Sequence, residues 1–154
     1  MNRSLIVLSA ALLALVVFVI GAIVYHRQSQ QEMVQSAEGH RAALIRPYSP
    51  VYGNPNAKVT IVEFLDPACE TCAQFFPLVK RWLADNPDRI RLSVRHVAFH
   101  DGSEYVVRVL EASRKQDKYW QALEALLMSQ AQWAPNHTAQ PDLVLQAISG
   151  VGLN

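Results

Sequence analysis

The 154-residue sequence is poor in cysteine and has no clear excess of either charge. It contains two cysteines, Cys69 and Cys72, with fourteen basic residues against thirteen acidic ones. A nucleic-acid-binding protein is expected to carry a clearly basic surface, so nucleic acid is not an expected partner. Charge is missing altogether from one N-terminal block, where the apolar residues are concentrated.

This block, residues 5–25, reads LIVLSAALLALVVFVIGAIVY, and Ser9 is its only polar interruption. As a helix it would span about 31 Å, which matches the hydrocarbon core of a bilayer. A cleaved signal peptide is the alternative, but its apolar run is typically only about 7 to 15 residues long. Positive charge does not decide the orientation of this segment, because Arg3 precedes it while Arg27 and Arg41 follow it, which leaves little positive-inside bias. We expect an uncleaved, single-pass inner-membrane anchor whose following domain faces the periplasm.

The rest of the chain divides by composition. Residues 28–39 are polar and Gln-rich, and residues 46–57 contain three prolines, so both stretches are interpreted as a spacer. The predicted organisation is an anchor over residues 1–27, a spacer over residues 28–57 and a domain over residues 58–154.

The domain begins with a predicted βαβ unit. Residues 58–65 (KVTIVEFL) are typical of a strand buried on both faces. The apolar spacing from Phe75 to Leu83 predicts an amphipathic helix that ends near Asn86. Residues 89–99 include a strand-like alternation, and three helical stretches follow, the last opening at Pro141. The fold class is α/β.

Cys69, Glu70, Thr71 and Cys72 form the motif that carries the chemistry. A tetrahedral zinc site generally needs four ligands, and the sequence has no second cysteine pair. A structural disulfide between residues this close would stabilise little, because the effect grows with loop length. A redox pair is therefore the favoured interpretation, with metal binding kept as an alternative. His96 and His100 follow the second strand and are more simply explained as ordinary strand and loop residues.

The redox interpretation assigns different roles to the two thiols. Cys69 lies where a strand passes into the first turn of a helix, and the free N–H groups there stabilise a thiolate. Cys69 is therefore predicted to attack and Cys72 to resolve. Glu70 places a negative charge beside the thiolate, so the Glu70-Thr71 pair is expected to make the motif less oxidising than that of a strong oxidase.

The motif and its surroundings resemble the thioredoxin superfamily, and within it the DsbA-like periplasmic proteins, from about Val59 to the C-terminus. Glu63 stands six residues before Cys69, where such proteins hold a buried carboxylate, and Pro77 stands where their active-site helix is kinked. The resemblance implies that Glu63 assists proton transfer at Cys72. A solvent-facing strand residue is the alternative for Glu63.

The resemblance also implies that the helices after Phe99 are the helical insertion of that family. In such proteins a strand pair, a cis-proline loop and a helix follow the insertion, whereas this sequence ends at Asn154. The expected fold is therefore an incomplete thioredoxin-like domain, either truncated or completed by a partner.

Three functions follow from these features. The first is a membrane-anchored thiol-disulfide oxidoreductase that acts on protein thiols and disulfides, needs no cofactor or metal, and is recycled by a membrane redox partner. The second is a membrane-tethered copper chaperone that uses the same cysteines. The third is an inactive truncated fragment.

Overall fold

The computed structural model describes residues 3–154, without the side chains of residues 1–11, 38 and 42. It contains two compact units, residues 1–46 and residues 47–154. The first unit is one long helix, α1, over Arg3–Leu44. Its part Leu12–Arg41 contains a segment that is apolar and long enough to cross a membrane, a property shared by signal sequences. Of the predicted span 5–25, the side chains of residues 5–11 lie outside the described part.

Helix α1 extends through residues 28–39, which were predicted to be part of the spacer. Half of this stretch is glutamine or glutamate, and these residues have good helix propensity. A polar composition therefore marks the end of the apolar stretch here without marking the end of the helix.

The second unit is built on a three-stranded sheet with the order β1-β3-β2. Its strands are β1 (Val51–Tyr52), β2 (Val59–Leu65) and β3 (Ile90–His96). Strands β2 and β3 are parallel, and β1 pairs with β3 in the antiparallel direction. Because β1 lies within residues 46–57, the sheet begins before residue 58, where the domain was predicted to start.

The helices of this unit follow the predicted order. They are α2 (Glu70–Asp85), α3 (Ser103–Arg114), α4 (Tyr119–Met128), α5 (Gln130–Trp133) and α6 (Pro141–Ala147), with short 3-10 turns at Pro135–His137 and Ser149–Val151. Helix α2 ends at its cap residue Asn86, and Pro141 lies in the first turn of α6. The predicted βαβ unit is confirmed as β2, α2 and β3.

One face of the sheet carries the core. Leu65 of β2 and Leu92 and Val94 of β3 are almost completely buried, in one cluster with residues of α2, α3, α4 and α6. The prediction that β2 is buried on both faces is wrong, since Phe64 remains 50% exposed. Phe64 points to the opposite face, where the Arg95 guanidinium lies 5.7 Å from its ring centroid.

Candidate active site

The cysteine motif lies where β2 passes into α2. Cys69 is the N-cap residue of α2 with extended backbone angles, and its carbonyl accepts a hydrogen bond from the Ala73 N–H at 3.2 Å. Cys72 follows in the first helical turn. This is the strand, turn and helix arrangement that the sequence predicted for the motif.

The two thiols differ in their surroundings. Both are free and partly exposed. Burial raises the pKa of the Cys72 thiol to about 11, and the neighbouring Cys69 side chain and the charge of Glu63 add to this effect. A hydrogen bond from the Asp66 backbone opposes it. Cys72 is therefore a thiol that must be deprotonated before it can attack.

Glu63 lies on the inner, core-facing side of β2. It pairs in register with Val94 of β3, so no charged residue lies directly opposite it. Burial raises the pKa of its carboxyl. Its Oε2 atom is buried and has no hydrogen-bond partner among the described residues. Glu63 thus has the partly buried environment and raised pKa that a proton acceptor for Cys72 would need.

The remaining motif residues are at the surface. Glu70 and Thr71 are exposed, and Glu70 is the one acidic residue in the first turn of α2. Pro77 lies inside α2 and is also exposed. Beside this turn, a groove of about 440 Å³ runs between α2 and the α4–α5 region, with Glu70, Pro77 and Met128 among its lining residues.

Asp66 fixes the turn that precedes Cys69. Its buried carboxylate accepts hydrogen bonds from the Ala68 N–H at 2.9 Å, the Phe99 N–H at 2.7 Å and the Ser103 hydroxyl at 2.5 Å. The His100 N–H and its Nδ1 atom lie 2.9 and 2.8 Å from the same carboxylate. Burial by itself would raise the pKa of Asp66, but these hydrogen bonds outweigh it and lower the pKa.

Two distant residues support the same turn. The Gln130 amide donates to the Pro67 carbonyl at 2.7 Å, and His137 Nδ1 lies 3.3 Å from the Ala68 carbonyl. His137 also stacks on His100, with 4.7 Å between ring centroids. The carbonyls of the two residues before Cys69 are therefore held by α5 and by the turn that follows it.

The sequence analysis did not identify these supporting residues. Asp66 had a local signal, because an aspartate that bonds the backbone N–H two residues on is a common turn former. Gln130 and His137 have no such signal, since each is more than sixty positions from its partner.

The described residues contain no group of three or more His, Cys, Asp or Glu side chains placed to hold a metal ion. His100 is bonded to Asp66, and His96 is bonded to Tyr119 at 2.9 Å. The copper-chaperone alternative, which needs further ligands close to the cysteines, gains no support from this geometry.

Comparisons with known proteins agree with this fold and site. A family model described as thioredoxin matches residues 46–149. A thioredoxin-like oxidoreductase from Silicibacter pomeroyi is 32% identical with a TM-score of 0.61, and the match covers 71% of this chain and 60% of that one. No curated protein sequence matches the chain significantly.

Two other solved structures share the fold at lower identity. The thiol-disulfide exchange protein α-DsbA2 from Wolbachia pipientis is 19% identical with a TM-score of 0.65, covering 82% of this chain and 66% of that one. A periplasmic thioredoxin-like protein from Salmonella enterica serovar Typhimurium is 22% identical with a TM-score of 0.62, covering 74% and 64%. The chain thus spans roughly two thirds or less of the length of these relatives. It belongs to the thioredoxin family, and its fold is DsbA-like.

Proposed function

We propose that this protein is a thiol-disulfide oxidoreductase acting on protein thiols and disulfides through Cys69 and Cys72. The observation that carries the proposal is the pair of unlike thiols at the start of α2, of which Cys72 has its pKa raised by burial to about 11. The 32% identity to a thioredoxin-like oxidoreductase supports it.

The reaction is a two-step exchange. The Cys69 thiolate attacks a substrate disulfide, one substrate thiolate leaves, and Cys69 is joined to the other substrate sulfur. Cys72 then gives its proton to the Glu63 carboxylate, and its thiolate attacks the Cys69 sulfur. The second substrate thiolate leaves, so two electrons pass from the cysteine pair to the substrate. In the opposite direction the same steps run backwards, and Glu63 returns the proton to Cys72.

The exposed residues of the motif adjust the energy of these steps. The exposed, acidic Glu70 next to Cys69 is assigned to lowering the redox potential of the pair, so that the motif is less oxidising than that of a strong oxidase. Thr71 keeps the turn free of a second charge. The exposed Pro77 inside α2 is assigned to a kink in the helix that carries both cysteines.

We further propose that α1 anchors the protein in the inner membrane with residues 47–154 in the periplasm. Its apolar stretch is long enough to span a bilayer, and the similar Salmonella protein is described as periplasmic. Recycling of the cysteine pair is assigned to a membrane redox partner. An inactive fragment is the competing outcome.

Trapping of the mixed disulfide tests the proposed function. The Cys72→Ser variant of the full chain, mixed with a disulfide-containing protein such as insulin, should accumulate a covalent adduct that a reductant releases. The Cys69→Ser variant is the matched control and should form little adduct. Wild-type protein that is folded but neither forms the adduct nor reduces insulin would contradict the proposal.

Labelling of both cysteines in whole cells by a membrane-impermeant maleimide tests the periplasmic location.

A further inference from the structure

The inner face of the sheet carries a titratable residue, His96, that the exchange reaction does not use. Glu63 pairs in register with Val94, and Leu65 pairs with His96. Because side chains alternate between faces along a strand, Glu63 and His96 lie on the same face, two positions apart on neighbouring strands. His96 is therefore the nearest titratable residue of β3 on the side of the sheet that holds Glu63.

His96 is bonded to a tyrosine of α4. Its Nε2 atom lies 2.9 Å from the hydroxyl of Tyr119, which is 3% exposed. Burial lowers the pKa of His96 to about 4 and raises the pKa of Tyr119. Both residues are therefore neutral at physiological pH, so each can accept one proton while it donates another.

Glu63 also lies on the face of the sheet where His96 bonds Tyr119. Burial is the main cause of the raised pKa of Tyr119, and the charges of Glu111 and, to a smaller extent, Glu63 add to it. Two buried polar atoms on this face, Glu63 Oε2 and His96 Nδ1, have no hydrogen-bond partner among the described residues. Unpartnered buried polar atoms are uncommon in proteins and suggest a functional role. Here one belongs to Glu63 and the other to His96, the residue that is bonded to the Tyr119 hydroxyl.

His96 also reaches a cleft at the protein surface. This cleft has a volume of about 280 Å³ and lies between β3 and α3, where Ser49, Glu111 and Arg114 are among its lining residues. Arg114 is paired with Glu111 at 2.9 Å. Because His96 is also among its lining residues, the imidazole ring borders this open space.

We propose that Tyr119 and His96 relay protons between Glu63 and this cleft, and so regenerate the proton acceptor of Cys72. The proposal rests on the proposed exchange reaction. After Glu63 takes the Cys72 proton, the proton passes to the Tyr119 oxygen, directly or through one water. The hydroxyl proton of Tyr119 moves to His96 Nε2, and the Nδ1 proton of His96 passes to water of the cleft when local motion exposes this buried atom. Each group gains one proton and loses one, and no electrons move.

Burial is the main reason why His96 stays neutral, and Arg114 of α3 acts in the same direction. The Leu65 carbonyl and Asp66, from the turn after β2, favour a proton on the ring, but their effects are outweighed. The other charged groups that act on the pair are Glu63 of β2 and Glu111 of α3. None of the relay residues touches the reacting sulfurs, so they are positioning residues that act through Glu63.

Stopped-flow reaction of the reduced full chain with the disulfide reagent dithiobis(nitrobenzoate) separates the two thiol steps. The first release of thionitrobenzoate reports attack by Cys69, and the second reports attack by Cys72. We expect the Tyr119→Phe variant to retain the first phase and to slow the second about tenfold at pH 7, with a changed pH profile. Tyr105→Phe is the matched control, because Tyr105 packs at the edge of the core and takes no part in the relay.

Chemical rescue provides a readout that a structural role would not change. The His96→Gly variant should show the same slow second phase, and added imidazole, which the cleft can admit, should restore it. Solvent isotope measurements on the wild type need no variant, and a second phase whose rate shows no dependence on deuterium would overturn the relay. The same holds for a folded Tyr119→Phe protein with an unchanged second phase. If the wild type itself releases only one thionitrobenzoate, the exchange reaction fails instead.

Discussion

At the scale of single residues, Glu63 combines a role in proton transfer with a cost in stability. Its pKa is raised by burial above the ordinary value of 4.5, so the folded state holds the proton more tightly than the unfolded state does. Its contribution to stability is present below pH 4.5 and is lost as the pH rises through its folded pKa. At neutral pH the folded protein therefore carries a buried charge that water would solvate better.

The Glu63→Gln variant should reveal this cost. The free energy of unfolding of the variant minus that of the wild type should increase by about 1 kcal/mol from pH 4 to pH 8. The reason is that the wild type loses the proton of Glu63 over this range, whereas glutamine has no proton to lose. Urea unfolding of the full chain in detergent at several pH values measures the difference. Glu104→Gln is the control, since Glu104 is exposed and its ion pair with Arg108 is worth only a few tenths of a kcal/mol. A pH-independent difference for Glu63→Gln would contradict the assignment.

Asp66 has the opposite dependence on pH. Hydrogen bonds to its carboxylate lower its pKa below the ordinary value of 3.8, so its contribution is present above pH 3.8 and is lost as the pH falls through the lower folded pKa. The Asp66→Asn variant should be destabilised by about 2 to 3 kcal/mol at pH 7, because buried N–H and O–H donors lose part of their acceptor. The difference should shrink in acid.

Urea unfolding at pH 7 and at pH 3 measures this change. Asp85→Asn is the matched control, because Asp85 is exposed at the end of α2, and we expect a change within about 0.5 kcal/mol. Equal effects of the two substitutions would show that Asp66 does not hold the turn before Cys69.

At the scale of elements, the start of α3 depends on one glycine. Gly102 caps this helix with a φ of +76°, and a Cβ atom there would lie 2.8 Å from the Ala139 carbonyl oxygen. The Gly102→Ala variant should therefore be destabilised by about 2 to 3 kcal/mol from backbone strain and the close contact. It should also weaken the hydrogen bonds that Phe99, His100 and Ser103 make to Asp66.

Thermal unfolding of Gly102→Ala measures this effect. Gly150→Ala serves as the control, because a Cβ atom at Gly150 has no neighbour within 4 Å. A Gly102→Ala protein as stable as the Gly150→Ala protein would mean that the loop moves away from Ala139 at little cost.

The elements also show how far the sequence predicts the structure. The β2-α2-β3 unit follows from hydrophobic spacing, and the thiol pair at the start of α2 follows from its position after a strand. The prediction that β2 is buried on both faces was wrong, because burial depends on which face of the sheet the helices cover. Helix α1 extends beyond its apolar stretch because polar residues with good helix propensity continue it.

Within the site, local and distant partners differ in the same way. Cys69 and Cys72 were predicted from their motif and Glu63 from the resemblance to DsbA-like proteins, and all three lie within one strand, turn and helix. The supports at Gln130 and His137, and the pairing of His96 with Tyr119, depend on how α4 and α5 pack on the sheet. No spacing along the chain reports that packing.

At the scale of the whole molecule, stability is expected to reside in residues 47–154. The buried members of the core cluster run from Leu65 to Ile148, and these residues belong to one compact unit. A unit of this size can bury a core of its own. The chain without residues 1–46 should therefore fold alone and unfold in one cooperative transition.

Circular dichroism and thermal unfolding of residues 47–154 test this expectation, with the full chain in detergent as the reference. The melting temperature should agree within about 5 °C, since removing α1 takes no residue from the core cluster. In the same unit, Leu126→Ala should cost about 2 to 5 kcal/mol, because Leu126 is completely buried. Leu145→Ala is its control, since Leu145 is 51% exposed. If residues 47–154 stay unfolded while the full chain folds, then the core needs more of the protein than its own buried residues.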